Sequence, residues 1–269
     1  MTSPYRARLW AGITELRDAI IIDPSKRLQF DDRYEPVIKT LDKARETARE
    51  IHALVAEHYK ALKQPGAFVV GPGNDLIVNI AVNPILDRRF DSLTVFAYRA
   101  MKLAQHVVKD VSGVDIGFLF KPDANYTRGL TDMRLSNVEL GDYVDAVRQQ
   151  FAHPLALLRN DIEHNGWNMP WMRYRMHEGQ FQPGETEIQG LSFTNYVSHV
   201  VNGTIRFVED MTVYALKTIL AAPRVIIELP ELQRASGNPK RFAFAVQGDY
   251  RTWRFSWAAD SADFLWDGQ

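Results

Sequence analysis

Cysteine is absent from the 269-residue chain, which excludes disulfide scaffolds, thiolate metal sites and cysteine nucleophiles together. Long apolar runs are missing too. Apolar stretches such as residues 19–22 and 77–82 fall far short of the roughly 20 residues that a membrane-spanning helix needs. No apolar stretch follows the charged N-terminal residues, so no signal peptide is expected. An excess of either charge is also lacking. With 32 basic and 33 acidic residues the net charge is -1, so any attraction to nucleic acid must come from a local patch. The basic residues include 22 arginines against 10 lysines, and arginine suits bidentate phosphate contacts, although genomic base composition explains that ratio as readily. These absences together point to a cytoplasmic protein that does not use a membrane.

What is present is ordinary core-forming material. The chain is 46% hydrophobic and 24% charged, enough to build one large core without staples. Apolar residues recur at spacings of three and four over residues 36–62, 88–111, 138–164 and 193–220, which predicts amphipathic helices. A weaker helix over 6–20 precedes them. Pro154 implies a kink in the third helix, or a new helix with the proline in its first turn. Residues 67–70 and 76–82 flank the turn Gly71-Pro72-Gly73-Asn74-Asp75 and read as a hairpin. Residues 225–229, 241–246 and 251–257 alternate like half-buried strands, and 113–126 and 167–190 read as connections. The expected fold is mainly α: a four-helix bundle over 1–222 with its core at about 85–222. Small β-hairpin and strand additions decorate it, and residues 223–269 form a C-terminal β extension of the same domain.

One motif stands out at the end of the third helix: Arg159-Asn160-Asp161-Ile162-Glu163-His164, followed by Asn165-Gly166. Spacing alone does not select it. Arg45/His52, Arg99/His106 and Arg148/His153 also place a histidine after an arginine with four to six residues between them. Only Arg159 is followed directly by a small polar side chain, at the end of an apolar helix. Asn160 and His164 are four apart and share a helix face. Arg159 and His164 are five apart, about 140° around an ideal helix, so a long arginine side chain or a loosened last turn is needed to bring them together. The plain structural alternative is an Arg159–Glu163 surface pair, with His164 near the helix end and Asn165-Gly166 as its left-handed terminator.

These six residues, set in a helical bundle, resemble the HEPN superfamily, whose mark is an arginine, a polar residue and a histidine a few positions on. The resemblance implies a homodimer whose two motif copies line one cleft, and a metal-independent endoribonuclease with Arg159, Asn160 and His164 as catalytic residues. RNA supplies its own nucleophile, because the 2′-hydroxyl sits beside the scissile phosphate. A histidine then moves the protons and a guanidinium meets the charge on phosphorus-bound oxygens. The products would be a 2′,3′-cyclic phosphate and a 5′-hydroxyl. Arg148 and Arg206 are the candidate RNA contacts, and neither cofactor nor metal is called for. A role in stress or phage defence fits such an enzyme. In one HEPN subgroup a tyrosine follows the histidine by two positions; Gly166 stands there in this chain, so that modifiable-tyrosine version is not supported.

Two further readings stay open. A catalytically inactive helical dimer acting as a binding scaffold needs no chemistry from the motif. A metal-dependent hydrolase would draw on His153, Asp161, His164 and His199, but His153 and His164 lie some 16 Å apart along a straight helix, too far to share an ion. The polar stripe His199, Asn202, Arg206 and Asp210 reads as solvated surface or the border of a dimer cleft. The pairs Trp167/Trp171 and Trp253/Trp257 read as core or interface residues before base-stacking ones.

Overall fold

The computed structural model describes residues 7–70, 76–78, 84–167, 169, 173–177, 180–184, 186–230, 240–246, 253 and 257. Helices dominate them. A π-helical turn, Ala7–Gly12, leads into α1, Ile13–Ile20. α2, Pro24–Leu62, then runs for 39 residues. It starts twelve residues before the expected residue 36, because Asp23 caps it through Ser25 N (2.9 Å) and Pro24 tolerates a first turn. Pro36 sits inside the helix, where it forgoes a backbone hydrogen bond. Burial of Phe30 and Tyr34 on the N-terminal side offsets that loss, and the Tyr34 hydroxyl donates to Leu9 O at 2.8 Å.

α3, Ile85–Ser112, follows the expected apolar stripe: Phe90, Leu93, Ala97, Met101, Ala104, Val107 and Val108 are all buried. A 3-10 turn, Gly117–Phe120, precedes α4, Asp123–Ser136, in a stretch whose first residues read as a connection. α4 buries only Tyr126, Leu130 and Met133, too sparse a stripe to stand out in sequence. The expected third helix is two helices, α5 (Val138–Val147) and α6 (His153–His164), joined by the π-helical turn Arg148–Ala152. Pro154 falls in the first turn of α6, where its missing N–H costs nothing.

α7, Phe193–Thr218, is buried nearly all round between Val200 and Leu216. It packs against α1, α2 and α3, while α6 lies along α3. A Cβ on Gly203 of α7 would fall 2.5 Å from the Phe151 ring, so glycine is what permits this close approach. Ile219, expected on the apolar stripe, lies one residue past the helix end and is half exposed.

The strands form small antiparallel pairs: β1 (Phe68–Val70) with β2 (Leu76–Val78), β3 (Arg173–His177) with β4 (Gln180–Gly184), β5 (Glu187–Ile188) with β6 (Leu191–Ser192), and β7 (Arg224–Glu228) with β8 (Phe242–Val246). The turn 71–75 and most of the expected strand 251–257 lie outside the described residues. Trp253 N donates to Ile226 O at 3.3 Å, and Trp253, Trp257, Ile226 and Phe242 join the core cluster that includes α7. No helix among the described residues is long and apolar enough to cross a membrane.

Candidate functional site

α6 buries Leu155 and Leu158 against the bundle and leaves its other side to solvent. Its end is a defined terminator. Gly166 takes φ 65°, and the N–H groups of Asn165 and Trp167 both donate to Asp161 O, at 3.0 and 3.1 Å. Beyond it Trp167 stacks on Phe90, centroids 5.5 Å apart, so this tryptophan serves packing. Trp171 lies outside the described residues.

The motif occupies the solvent edge of that last turn. Asn160 is exposed, and the His164 side chain is 71% exposed. Arg159 Nη2 donates to Glu163 at 2.6 Å, and Glu163 Oε2 lies 3.6 Å from His164 Nε2. One carboxylate therefore hydrogen-bonds the arginine and lies near the histidine that ideal helical geometry sets about 140° apart from it. Sequence spacing pairs Glu163 only with Arg159; its approach to His164 is a feature of the structure.

α3 adds two more groups. Asp91 faces Arg159 and Glu163, and its Oδ1 is buried without a hydrogen-bond partner among the described residues. Burial pushes the Asp91 carboxyl above its ordinary range, Glu163 adds to this, and Arg159 offsets only part. Seven residues on, Tyr98 lies under Arg159, with the guanidinium carbon 5.1 Å from its ring centroid. Burial raises the Tyr98 phenol above its usual value, and Arg159 and Arg148 pull it partly back. No local sequence signal marks Asp91 or Tyr98, because each meets the motif only through the packing of α3 on α6.

The two arginines expected to touch RNA face inward. Arg148 is buried and donates from Nη1 to Leu119 O (2.7 Å) and Lys121 O (3.1 Å), and from Nη2 to Asp123 (2.7 Å). Its guanidinium lies 4.0 Å from the Tyr126 ring centroid. This arginine ties the 3-10 turn and the start of α4 to the π-helical turn after α5, which spends its donors on the fold. Arg206 lies over Trp257 at 5.4 Å and 3.6 Å from Asp210.

Asp210 corrects the reading of its stripe as solvated surface: it is 0% exposed. Around it and the neighbouring Glu209 is a buried charge cluster. Arg8 grips Glu209 with two hydrogen bonds, 2.7 and 2.5 Å. Arg241 reaches Asp210 (2.7 Å), Glu209 (3.3 Å) and Glu228 (2.7 Å), and the Tyr143 hydroxyl donates to Asp210 at 2.9 Å. Burial alone would raise Glu209, but Arg8 and Arg241 carry its carboxyl below the ordinary range. For Asp210 burial wins, and with Glu209 beside it the carboxyl is raised despite Arg241. The cluster joins the N-terminal turn, α5, α7 and the β7–β8 hairpin. Its hydrogen bonds tie these four parts of the chain together.

Among the described residues no group of three or more His, Asp or Glu side chains is placed to hold a metal ion. His199 packs instead between Phe151 and Tyr196, at 5.5 and 6.3 Å. No protein-family model matches the chain, nor does any curated protein or solved structure.

Proposed function

We propose that this protein is a metal-independent endoribonuclease of HEPN type, acting as a homodimer on RNA through Arg159, Asn160 and His164. The observation that carries this reading is the Arg159–Glu163–His164 contact at the solvent edge of α6. It keeps a guanidinium and an imidazole on one exposed turn, where a phosphodiester can reach both. His164 takes the 2′ proton or protonates the departing 5′ oxygen, since an imidazole can serve as base or acid. Arg159 meets the negative charge that gathers on the phosphoryl oxygens. A phosphate entering between them displaces Glu163 from Arg159.

Dimerisation has a physical handle on the same face. Leu157 is 50% exposed, one turn before Asn160 and two before His164. A two-fold contact through Leu157 buries an apolar side chain and brings the two histidines toward each other.

The test is cleavage of RNA in excess EDTA, with 2′-deoxy-substituted strands as the control. Cleavage should persist with the chelator, and the deoxy strands should resist it. His164→Ala should remove at least about 100-fold of the rate without shifting the thermal unfolding midpoint. Arg159→Lys should also be strongly impaired, since a point ammonium cannot replace the planar fork. An activity that dies with EDTA, returns with zinc or manganese and cuts DNA would instead demand a metal-generated nucleophile.

A further inference from the structure

Beside the motif, α3 carries a stripe that the cleavage chemistry does not use. Asp91, Tyr98 and Lys102 lie seven and four residues apart, so they follow one face of the helix over about 16 Å. The groups they meet run in the opposite order along the third-helix segment. Asp91 faces Glu163 and Arg159, while Tyr98 faces Arg159 and Arg148. The two segments are therefore antiparallel, and the stripe leads away from His164.

At the middle of this stripe two cations converge on one ring. Lys102 Nζ is 5.0 Å and Arg159 Cζ 5.1 Å from the Tyr98 centroid. Phe120 stands edge-on to Tyr98 at 5.4 Å, and Lys102 is 5.8 Å from its centroid as well. One lysine over one ring is ordinary at a surface. Here two like charges are drawn to the same ring, and exposed Lys102 has no acidic partner among the described residues. The half-buried Tyr98 has a hydroxyl with no hydrogen bond among the described residues, and the exposed Lys102 is the cation over its ring that can swing away. A cation without an acidic partner, an aromatic ring and an unbonded hydroxyl beside Arg159 are, among the described residues, groups that suit a nucleotide.

We infer that Tyr98, Phe120 and Lys102 form a binding subsite for the single-stranded nucleotide adjoining the scissile phosphate, with the base taking the place of Lys102 over the Tyr98 ring and the displaced Lys102 holding the next phosphate. This rests on the ribonuclease reading and adds a direction to it: the strand runs along α3 from the motif toward Lys102. Stacking on a ring is tolerant of base identity, so the subsite sets strand geometry and single-strandedness instead of sequence.

The test is fluorescence anisotropy with a short, labelled, single-stranded 2′-O-methyl RNA of mixed sequence, which can bind but cannot be cleaved. Tyr98→Leu should weaken binding about tenfold, and Tyr98→Phe, which keeps the ring, should hold the affinity within a few-fold. Lys102→Gln, a change at an exposed position, should lower the slope of log K against log salt by about 0.7, the share of one phosphate contact. If the parent binds while Tyr98→Leu binds equally well and Lys102→Gln leaves the slope unchanged, the subsite is refuted and the ribonuclease reading stands. If the parent binds no single strand at all, both fall. Binding that is lost with Lys102→Gln but equal for a hairpin duplex of the same chemistry would also overturn the stacked-base subsite.

Discussion

Two helical pairs share one short pattern, an arginine with an acid four residues later, and they have opposite fates. Arg159 and Glu163 on α6 keep side-chain exposures of 27% and 24%, whereas Arg206 and Asp210 on α7 fall to 14% and 1%. The local sequence grammar is alike. What differs is the number of sides on which each helix is covered: α6 leans on α3 with one face, while α7 runs between α1, α2 and α3. Near solvent an ion pair can be opened by an arriving phosphate at little cost. In the interior the charges need complete partners, and the Arg8–Glu209–Arg241–Asp210 cluster supplies them.

That contrast breaks most sharply when one acid is removed from each region. Glu209→Ala leaves Arg8 and Arg241 facing each other in the interior and should cost about 3–5 kcal/mol in urea unfolding. Glu163→Ala should cost under about 1 kcal/mol, while changing any RNA cleavage through Arg159 and His164. Equal losses from the two substitutions would erase the distinction between a structural and an adjustable pair.

A smaller effect is expected from Arg148→Met, which strands the carbonyls of Leu119 and Lys121 and should cost about 2–3 kcal/mol. Any loss of activity should then track the loss of fold. If stability is unchanged and RNA affinity drops, Arg148 contacts the substrate as its position in sequence suggested.

The finest comparison lies inside the buried cluster and uses pH. Glu209 has a folded-state pKa below its ordinary value. Its ionised form therefore contributes stability above the usual glutamate range, and that contribution is lost as pH falls from there toward the depressed value. Asp210 has a raised folded-state pKa. Its ionisation carries a penalty at neutral pH that is relieved as pH falls through the raised value. The cost of Glu209→Gln should accordingly shrink on acidification, while that of Asp210→Asn starts small and grows. At neutral pH the asparagine is well tolerated because the Tyr143 hydroxyl can accept as well as donate. Parallel pH slopes for the two variants in urea titrations would show that the carboxylates do not divide their roles this way.

Much of the architecture was legible before any coordinates. The stripes on α2, α3, α5–α6 and α7 are a direct record of which face each helix buries, because burial of apolar surface drives the folding that the stripe encodes. Residues 225–229 and 241–246 alternate because a strand presents successive side chains to opposite faces, and they pair as β7 and β8 within a residue of those limits. Pro154 announced the break between α5 and α6 for a covalent reason, its missing N–H. α2 starts at Pro24 and not at Pro36 as the sequence predicts, since propensity marks Pro36 as a boundary and only the packing of Phe30 and Tyr34 overrides it.

The charged residues were a different matter. Sequence by itself determined that Arg159, Asn160 and His164 share the end of one helix, since 3.6 residues per turn depends on nothing beyond the local chain. It also determined that the site, if catalytic, uses no thiolate. Only the tertiary structure decided that Arg148 faces Leu119 and Lys121, that Asp210 is dry, and that Asp91 and Tyr98 stand beside the motif from a helix some 60 residues earlier. Apolar burial repeats with the helix and so leaves a periodic trace. A charge is neutralised by whichever partner the fold carries to it, and a partner that distant leaves no trace in the neighbouring residues.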